Sequence, residues 1–230
     1  PEEVDRTLWE HELQITVPAV RHSAAPETVL LIINGGRNDR PFGTETGELL
    51  STLALTSGSV VAMVSQIPNQ PLSFSDEIER PRLEDAIIAY SLDQYLVTED
   101  EEWPVHLAMT KAVVRAMDAV QSFLSARGLA VADYVPIGGS KRGWTAWLAA
   151  AVDPRVKAFI PASIDVLNME RQFLHHWHAY GFYAPAIDDY VQFDLPCRVR
   201  TKRGQGLLQI IDPYAYRERY SMPKLVVNSA

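Results

Sequence analysis

Cysteine is nearly absent from this chain of 230 residues: Cys197 is alone. A single thiol excludes an internal disulfide framework and any metal site built from several thiolates, and it leaves the compartment undecided. Basic residues are also short, with 21 lysines and arginines against 29 aspartates and glutamates and a formal net charge of −8. No positive field is available to draw in a phosphate backbone, so no nucleic acid partner is expected. Long apolar runs are missing as well. Val29-Leu30-Leu31-Ile32-Ile33 and Trp147 to Val152 are among the longest, far below the roughly 20 residues that cross a bilayer, so no transmembrane segment is expected. Fixed-period repeats and low-complexity tracts are lacking too, which removes solenoids and linkers. The chain opens at Pro1 without an initiator methionine or an apolar signal core, as expected of a processed or trimmed N-terminus.

What is present, 47% hydrophobic residues and 22% charged, suffices for a domain with a large core. His11 to Val17 alternates apolar and polar residues and reads as a half-exposed strand, while Thr28 to Ile33 and Ser59 to Val64 read as interior strands. Between the latter two, Leu49, Leu50, Leu53 and Ala54 recur at helical spacing over Thr44 to Leu55. Arg82 to Val97 and Leu107 to Ala126 carry two further amphipathic helices, the second closed by Gly128. Tyr134 to Ile137 predicts a strand, Ser140 to Ala151 a helix and Val156 to Ile160 another strand. Strands alternating with helices imply an α/β fold with a mainly parallel sheet, right-handed crossovers and helices on both faces.

Leu167 to Tyr220 is too long for a simple connection and rich in tyrosine, phenylalanine and tryptophan. It reads as a partly helical insertion, either a cap over a site or an aromatic secondary core. The expected organisation is therefore a core of residues 1–166 and 221–230 with a cap-like insertion at 167–220. Lys224 to Ala230 starts like a buried strand and stops where a loop should follow, so the chain is expected to be a segment of a longer polypeptide.

The feature that points to chemistry is Ile137-Gly138-Gly139-Ser140-Lys141-Arg142-Gly143. Strand, glycine turn, serine and helix in that order is the context of a nucleophile elbow, where small neighbours let strand and helix approach and a strained turn exposes the serine hydroxyl. The following helix start aims N–H groups and its positive dipole end at a developing oxyanion. The usual pattern is G-x-S-x-G, and here Arg142 holds the place of the second glycine, with Gly143 one position later. A serine after a glycine turn also serves simply as a helix N-cap in many non-catalytic parallel-sheet proteins. Asn34-Gly35-Gly36-Arg37-Asn38 follows the TVLLII strand, where hydrolases place the other oxyanion amide; a bare glycine backbone approaches the tetrahedral centre closely. Gly35, Gly36 and Lys141 are thus the oxyanion-hole candidates.

Ser140-Lys141-Arg142-Gly143-Trp144-Thr145 and the AWLAAAVDPRV run behind it, with HEL at 11–13, LLIINGGRN, QIPNQP at 66–71, EDAIIAY at 84–90, KAVVRAMDAVQ at 111–121 and DVLNM at 165–169, closely resemble the PhoPQ-activated pathogenicity-related family in the same order. The resemblance covers nearly the whole chain. It implies an α/β-hydrolase fold, a protein that is secreted or periplasmic, and Ser140 as nucleophile. The serine-to-glycine spacing also resembles that of glucuronoyl esterases, which implies that Gly143 makes a workable elbow despite Arg142.

In this fold the acid and the histidine follow the serine in chain order, and the resemblance implies an acid just after KLVVNSA and a histidine later still, both beyond Ala230. Inside the chain, His175, His176 and His178 read as cap or pocket residues and are substrate-binding candidates; His175 and His178 share a helical face, yet no third metal ligand is apparent. Arg37 and Arg142 add positive charge near the proposed oxyanion and are substrate-binding candidates for an anionic ligand, unless nearby acids pair with them. Trp144 and Trp147 read as core. The expected activity is a serine hydrolase acting on a small-molecule ester or peptide-like substrate, with no cofactor and no metal. The alternative is a secreted signalling or binding protein that keeps the scaffold without the chemistry and engages a receptor.

Overall fold

The computed structural model describes residues 3–21, 27–38, 40 and 44–228. They form two compact units. One contains residues 10–69, 109–164 and 220–230, and the other residues 1–9, 70–108 and 165–219.

The first unit is built on a five-stranded sheet of β1 (Leu13–Thr16), β2 (Thr28–Ile33), β3 (Val60–Val64), β4 (Asp133–Gly139) and β5 (Ile160–Ala162). Its order is β1-β3-β2-β4-β5. Only β1 runs antiparallel to its neighbour, with Leu13 opposite Val64; the other pairs are parallel, with Ile33 opposite both Val64 and Gly138. Residues 28–33 and 60–64 are rich in β-branched and other apolar side chains, and β3 is buried at all five positions, as a strand covered on both faces must be. Helix α1 (Thr44–Ser57) sets Leu50 and Ala54 against Val61 and Met63. In α3 (Val105–Ser125), Met109, Val113, Met117, Val120 and Leu124 form a buried stripe at helical spacing, and the Met117 carbonyl accepts a 2.7 Å bond from the Tyr134 hydroxyl. Gly128, at φ +74°, follows this helix. Helix α4 (Lys141–Val152) buries Trp144 and Trp147; the Trp147 ring meets Phe159 edge-on at 4.7 Å and Tyr220 at 5.0 Å.

The strand expected over 156–160 is interrupted. Tyr134 pairs with Val156 and Ile137 with Ile160, so four steps on one side match three on the other, the count of a bulge. The cause is Pro136. The Tyr134 N–H donates toward this side, to the Arg155 carbonyl at 2.8 Å; two residues on, the backbone points the same way, but proline has no hydrogen to give. Beyond β5, Lys224 and Val227 bridge Phe159 and Ala162 in parallel, so the chain after Pro223 extends the sheet as its sequence suggests.

The second unit holds α2 (Asp85–Thr98), residues 105–108 of α3, α5 (Met169–Tyr180), α6 (Asp188–Val191), α7 (Leu195–Arg198) and α8 (Lys202–Ile211), with 3-10 turns at Pro185–Ile187 and Pro213–Arg219. The aromatic segment is therefore helical almost throughout, and it lies in one compact unit with residues 70–108. Tyr90, Phe74, Trp103 and Phe193 share one aromatic cluster. The Arg82 guanidinium lies 4.7 Å from the Tyr90 ring centre and pairs with Glu77 at 2.6 Å. Tyr190 donates to Asp85 at 2.9 Å, and Arg198 pairs with Asp93. Helix α2 begins three residues later than its apolar pattern suggests. Glu84 stands before it at φ 52°, ψ −123°, held by Gln70 through two bonds, Nε2 to Glu84 Oε1 at 2.6 Å and the Glu84 N–H to Gln70 Oε1 at 2.8 Å. No helix among the described residues is long and apolar enough to cross a membrane.

Candidate active site

Three parallel strands of the sheet unit, β3, β2 and β4, finish at one edge because Val64, Ile33 and Gly138 are in register. The carboxyl ends of parallel strands are where α/β sheets present their ligand-binding loops. Here those loops carry Ser65 to Asn69, Asn34 to Asn38, and Ser140 onward.

Ser140 sits between β4 and α4 at φ 52°, ψ −129°. This is a strained backbone for a residue with a side chain. It is held there by its own N–H, which donates to the Ala162 carbonyl at 2.8 Å, and by its carbonyl, which accepts from the Trp144 N–H at 3.1 Å. An N-cap serine adopts extended backbone and turns its oxygen onto the first helical amides. Ser140 does neither: its side chain makes no capping hydrogen bond. Sterics explain the glycines around it. A Cβ on Gly138 would overlap the Arg142 carbonyl, and one on Gly143 would come within 2.7 Å of Ile164 Cγ2 and 2.9 Å of the Gly138 oxygen. Gly139 has no neighbour within 4 Å of where a Cβ would stand.

The Gly35–Gly36 loop leaves β2 beside this turn. Its first residue is tied down by the Asn34 N–H to the Val64 carbonyl at 2.8 Å, and the Asn34 carbonyl accepts from the Ile67 N–H at 3.1 Å. The Gly35 carbonyl accepts from the Gln66 N–H at 2.9 Å. Gly36 has φ +135°, a conformation that side chains avoid, and a Cβ there would lie 3.4 Å from Gln66. Arg142 touches both neighbouring loops: its Nε donates to the Ile67 carbonyl, in the loop after β3, at 2.6 Å, and a Cβ on Gly35 would stand 2.5 Å from its Nη2 and 2.9 Å from its Cζ. Lys141 is buried and Arg37 is half-buried.

The loop after β3 is itself polar and buried at Ser65, Gln66 and Asn69. Gln66, at φ 62°, accepts from the Glu12 N–H at 2.9 Å through Oε1. Asn69 is fully buried and exchanges bonds with the Glu10 backbone, receiving at 3.1 Å and donating at 2.9 Å. His11 Nδ1 lies 3.0 Å from the Ser65 carbonyl, and burial lowers the basicity of its ring. Gln66 and Asn69 were visible in the sequence only as part of the QIPNQP block; the signal for a structural role is a polar, proline-flanked stretch directly after a fully apolar strand.

The structure thus brings Ser140, Lys141, Arg142, Gly35, Gly36 and Arg37 into one unit. His175, His176 and His178 lie on α5 in the other unit. His175 and His178 are exposed, and His176 Nε2 accepts from the Ala184 N–H at 3.0 Å while its ring packs edge-on to Tyr180 and Tyr183. Asp153 pairs with Arg155 and Asp165 accepts from Gln172. Among the described residues, no group of three or more histidine, cysteine, aspartate or glutamate side chains is arranged to hold a metal ion.

Comparison with known proteins bears on the family and the fold. The autocrine proliferation repressor protein A of Dictyostelium discoideum is 37% identical over 231 residues, a match covering all of this chain and 46% of that protein. The chain therefore spans about half the length of that relative. Among solved structures, the acylaminoacyl peptidase of Pyrococcus horikoshii superposes with a TM-score of 0.55 at 14% identity, over 96% of this chain and 30% of that one. The acetyl xylan esterase from Paenibacillus sp. R4 superposes with a TM-score of 0.50 at 14% identity, over 96% and 73%. At such identity the likeness concerns the fold, an α/β-hydrolase scaffold. The sequence profile described as PhoPQ-activated pathogenicity-related protein matches residues 1–230, and the chain belongs to that family.

Proposed function

We propose that the chain carries the nucleophile of a serine hydrolase that cleaves a carboxylic ester or amide, and that Ser140 is that nucleophile. The observation behind this reading is the backbone of Ser140, strained at φ 52° where β4 meets α4, with a hydroxyl not spent on capping the helix. In the reaction the Ser140 Oγ bonds to the substrate carbonyl carbon while its proton passes to a histidine, and the carbonyl oxygen takes the negative charge. The amides of Lys141 and Gly36 receive that oxygen, aided by the positive end of α4. Collapse expels the alcohol or amine, which takes the proton from the histidine, and water then frees the acyl group by the same route. This reading puts the histidine and its orienting acid beyond Ala230, in the chain order of the fold. Arg37 favours a substrate bearing negative charge nearby. With the family resemblance comes an exported location.

The test is labelling of the full-length protein with a fluorophosphonate, followed by peptide mass spectrometry. An adduct on Ser140, lost in Ser140→Ala while the fold persists, supports the reading; ester turnover that survives Ser140→Ala sinks it.

A second reading is favoured by the name of the Dictyostelium relative, a proliferation repressor. In that case the scaffold serves signalling through a receptor, and folded full-length protein takes up no fluorophosphonate.

A further inference from the structure

We propose that Arg142 is a positioning residue that locks the Gly35–Gly36 loop to the helix carrying Ser140, and that it is not a substrate contact. The inference rests on the reading of Ser140 as nucleophile. It deepens that reading by naming what sets the oxyanion hole.

Arg142 is the second residue of α4, one position beyond the Lys141 amide. Its backbone thus belongs to the element that supplies one oxyanion donor, while its side chain is anchored on the loop after β3 and lies against Gly35 in the loop that supplies the other. The Nε bond to the Ile67 carbonyl, 2.6 Å long and 75 residues away in sequence, fixes the guanidinium. In that position the guanidinium fills the space a side chain at 35 would need. The relation works in both directions. An arginine where most elbows have a glycine is tolerable because residue 35 is bare, and residue 35 must stay bare because the arginine is there. Gln66 holds the same loop too, through its N–H to the Gly35 carbonyl at 2.9 Å, and a Cβ on Gly36 would lie 3.4 Å from it. The loop is therefore packed by a cation from α4 and tied by a buried residue from the end of β3. A planar guanidinium suits this task because it can donate at its edge while its face covers the backbone; a lysine ammonium offers a point charge and no face. Oxyanion geometry is unforgiving, since a displacement near 1 Å costs about a hundredfold in rate.

The experiment uses the full-length protein and the variants Arg142→Gln, Arg142→Lys, Gly35→Ala and Arg142→Gln/Gly35→Ala. Steady-state hydrolysis of p-nitrophenyl acetate, the rate of fluorophosphonate labelling at Ser140, and amide hydrogen exchange of peptides spanning residues 33–38 are measured on each. Arg142→Gln is expected to lower kcat by about 10- to 100-fold with KM changed less than about twofold, and to speed exchange in the loop. Arg142→Lys does not rescue either property. Gly35→Ala, which displaces the guanidinium, reproduces the loss, and the double variant is no worse than the single ones, because both remove one interaction. A rise in KM at unchanged kcat would instead make Arg142 a substrate contact, and unchanged exchange across 33–38 in Arg142→Gln would dismiss the lock; either result overturns the proposal. If the wild-type protein neither labels nor turns over ester, the hydrolase reading fails by itself, and the exchange data decide whether Arg142 holds the loop.

Discussion

Gly143 closes on the carbonyl oxygen of Gly138, which a Cβ at position 143 would meet at 2.9 Å. The two glycines that let strand and helix approach here are thus two before and three after Ser140. In the G-x-S-x-G pattern they stand two before and two after. The displaced glycine does equivalent steric work against Ile164 and Ala162 of the neighbouring strand region, while the position it vacates sends an arginine side chain outward to Ile67. The departure from the usual pattern is therefore compensated inside the fold.

The two glycines before the serine are expected to respond unequally to substitution. Gly138→Ala drives a Cβ into the Arg142 backbone carbonyl, which cannot rotate away as a side chain can, and should cost about 2 kcal/mol or more. Gly139→Ala meets nothing within 4 Å and should stay within about 0.5 kcal/mol of wild type. Urea denaturation of the two variants checks this; equal destabilisation would mean that the turn is not held by the overlap described.

Ser140 offers a cleaner reading of backbone strain. Its φ of 52° favours glycine over any residue with a Cβ. Ser140→Gly and Ser140→Ala both lack the hydroxyl, so their difference isolates the backbone. The glycine variant is expected to be more stable than the alanine variant by about 1 kcal/mol, with the flexibility glycine adds to the unfolded chain offsetting part of the gain. Equal melting of the two variants would show that the turn is relaxed.

Much of this was legible in the sequence. The run TVLLII occupies β2 at the boundaries its apolar pattern sets, and the helix after Ser140 starts where the glycine turn ends. Local patterns failed where a distant partner decides the outcome. Pro136 looks harmless within an apolar strand, and its missing hydrogen matters only because the next strand is on that side. Residues 70–108 join the aromatic segment through pairs such as Tyr190 with Asp85, separated by 105 residues, which no periodicity reveals. The positive charge of Arg142 was evident, but its use was not, since Ile67 O is identified as the acceptor only when β2, β3 and β4 are in register.

His106 should make the protein acid-sensitive above the carboxylate range. It is fully buried, and loss of solvation lowers its pKa from 6.5 to about 3. Below pH 6.5 the unfolded chain protonates this ring and the folded chain does not, so the unfolded state binds more protons and stability falls as pH falls. Between pH 7 and pH 5 the group alone should remove about 2 kcal/mol. Denaturant titrations at the two pH values, on wild type and His106→Gln, should give a smaller loss in the variant; identical losses would mean the ring is protonated in the folded protein.

Asp212 has the opposite pH signature and holds a helix start. Its carboxylate accepts from the N–H groups of Asn168 at 3.1 Å, Met169 at 2.8 Å and Tyr214 at 2.8 Å. The first two belong to the N-terminus of α5, where Asn168 itself makes no side-chain cap, so a residue 44 positions later does the capping. Burial raises its pKa above the usual 3.8, against the opposing pull of the three backbone bonds. The folded state therefore holds the proton to higher pH than the unfolded state, and the contribution of this ionisation to stability declines as pH rises from 3.8 through the raised value. Asp212→Ala leaves three N–H groups without this acceptor and should cost about 3 kcal/mol at pH 7. Asp212→Asn keeps one acceptor oxygen and should cost less there. Because only wild type carries the ionisation, its advantage over Asp212→Asn should be largest near pH 4 and should shrink towards pH 7, which paired urea titrations across that range would measure. An advantage that grows with pH would mean that the three N–H bonds outweigh the cost of burying the charge.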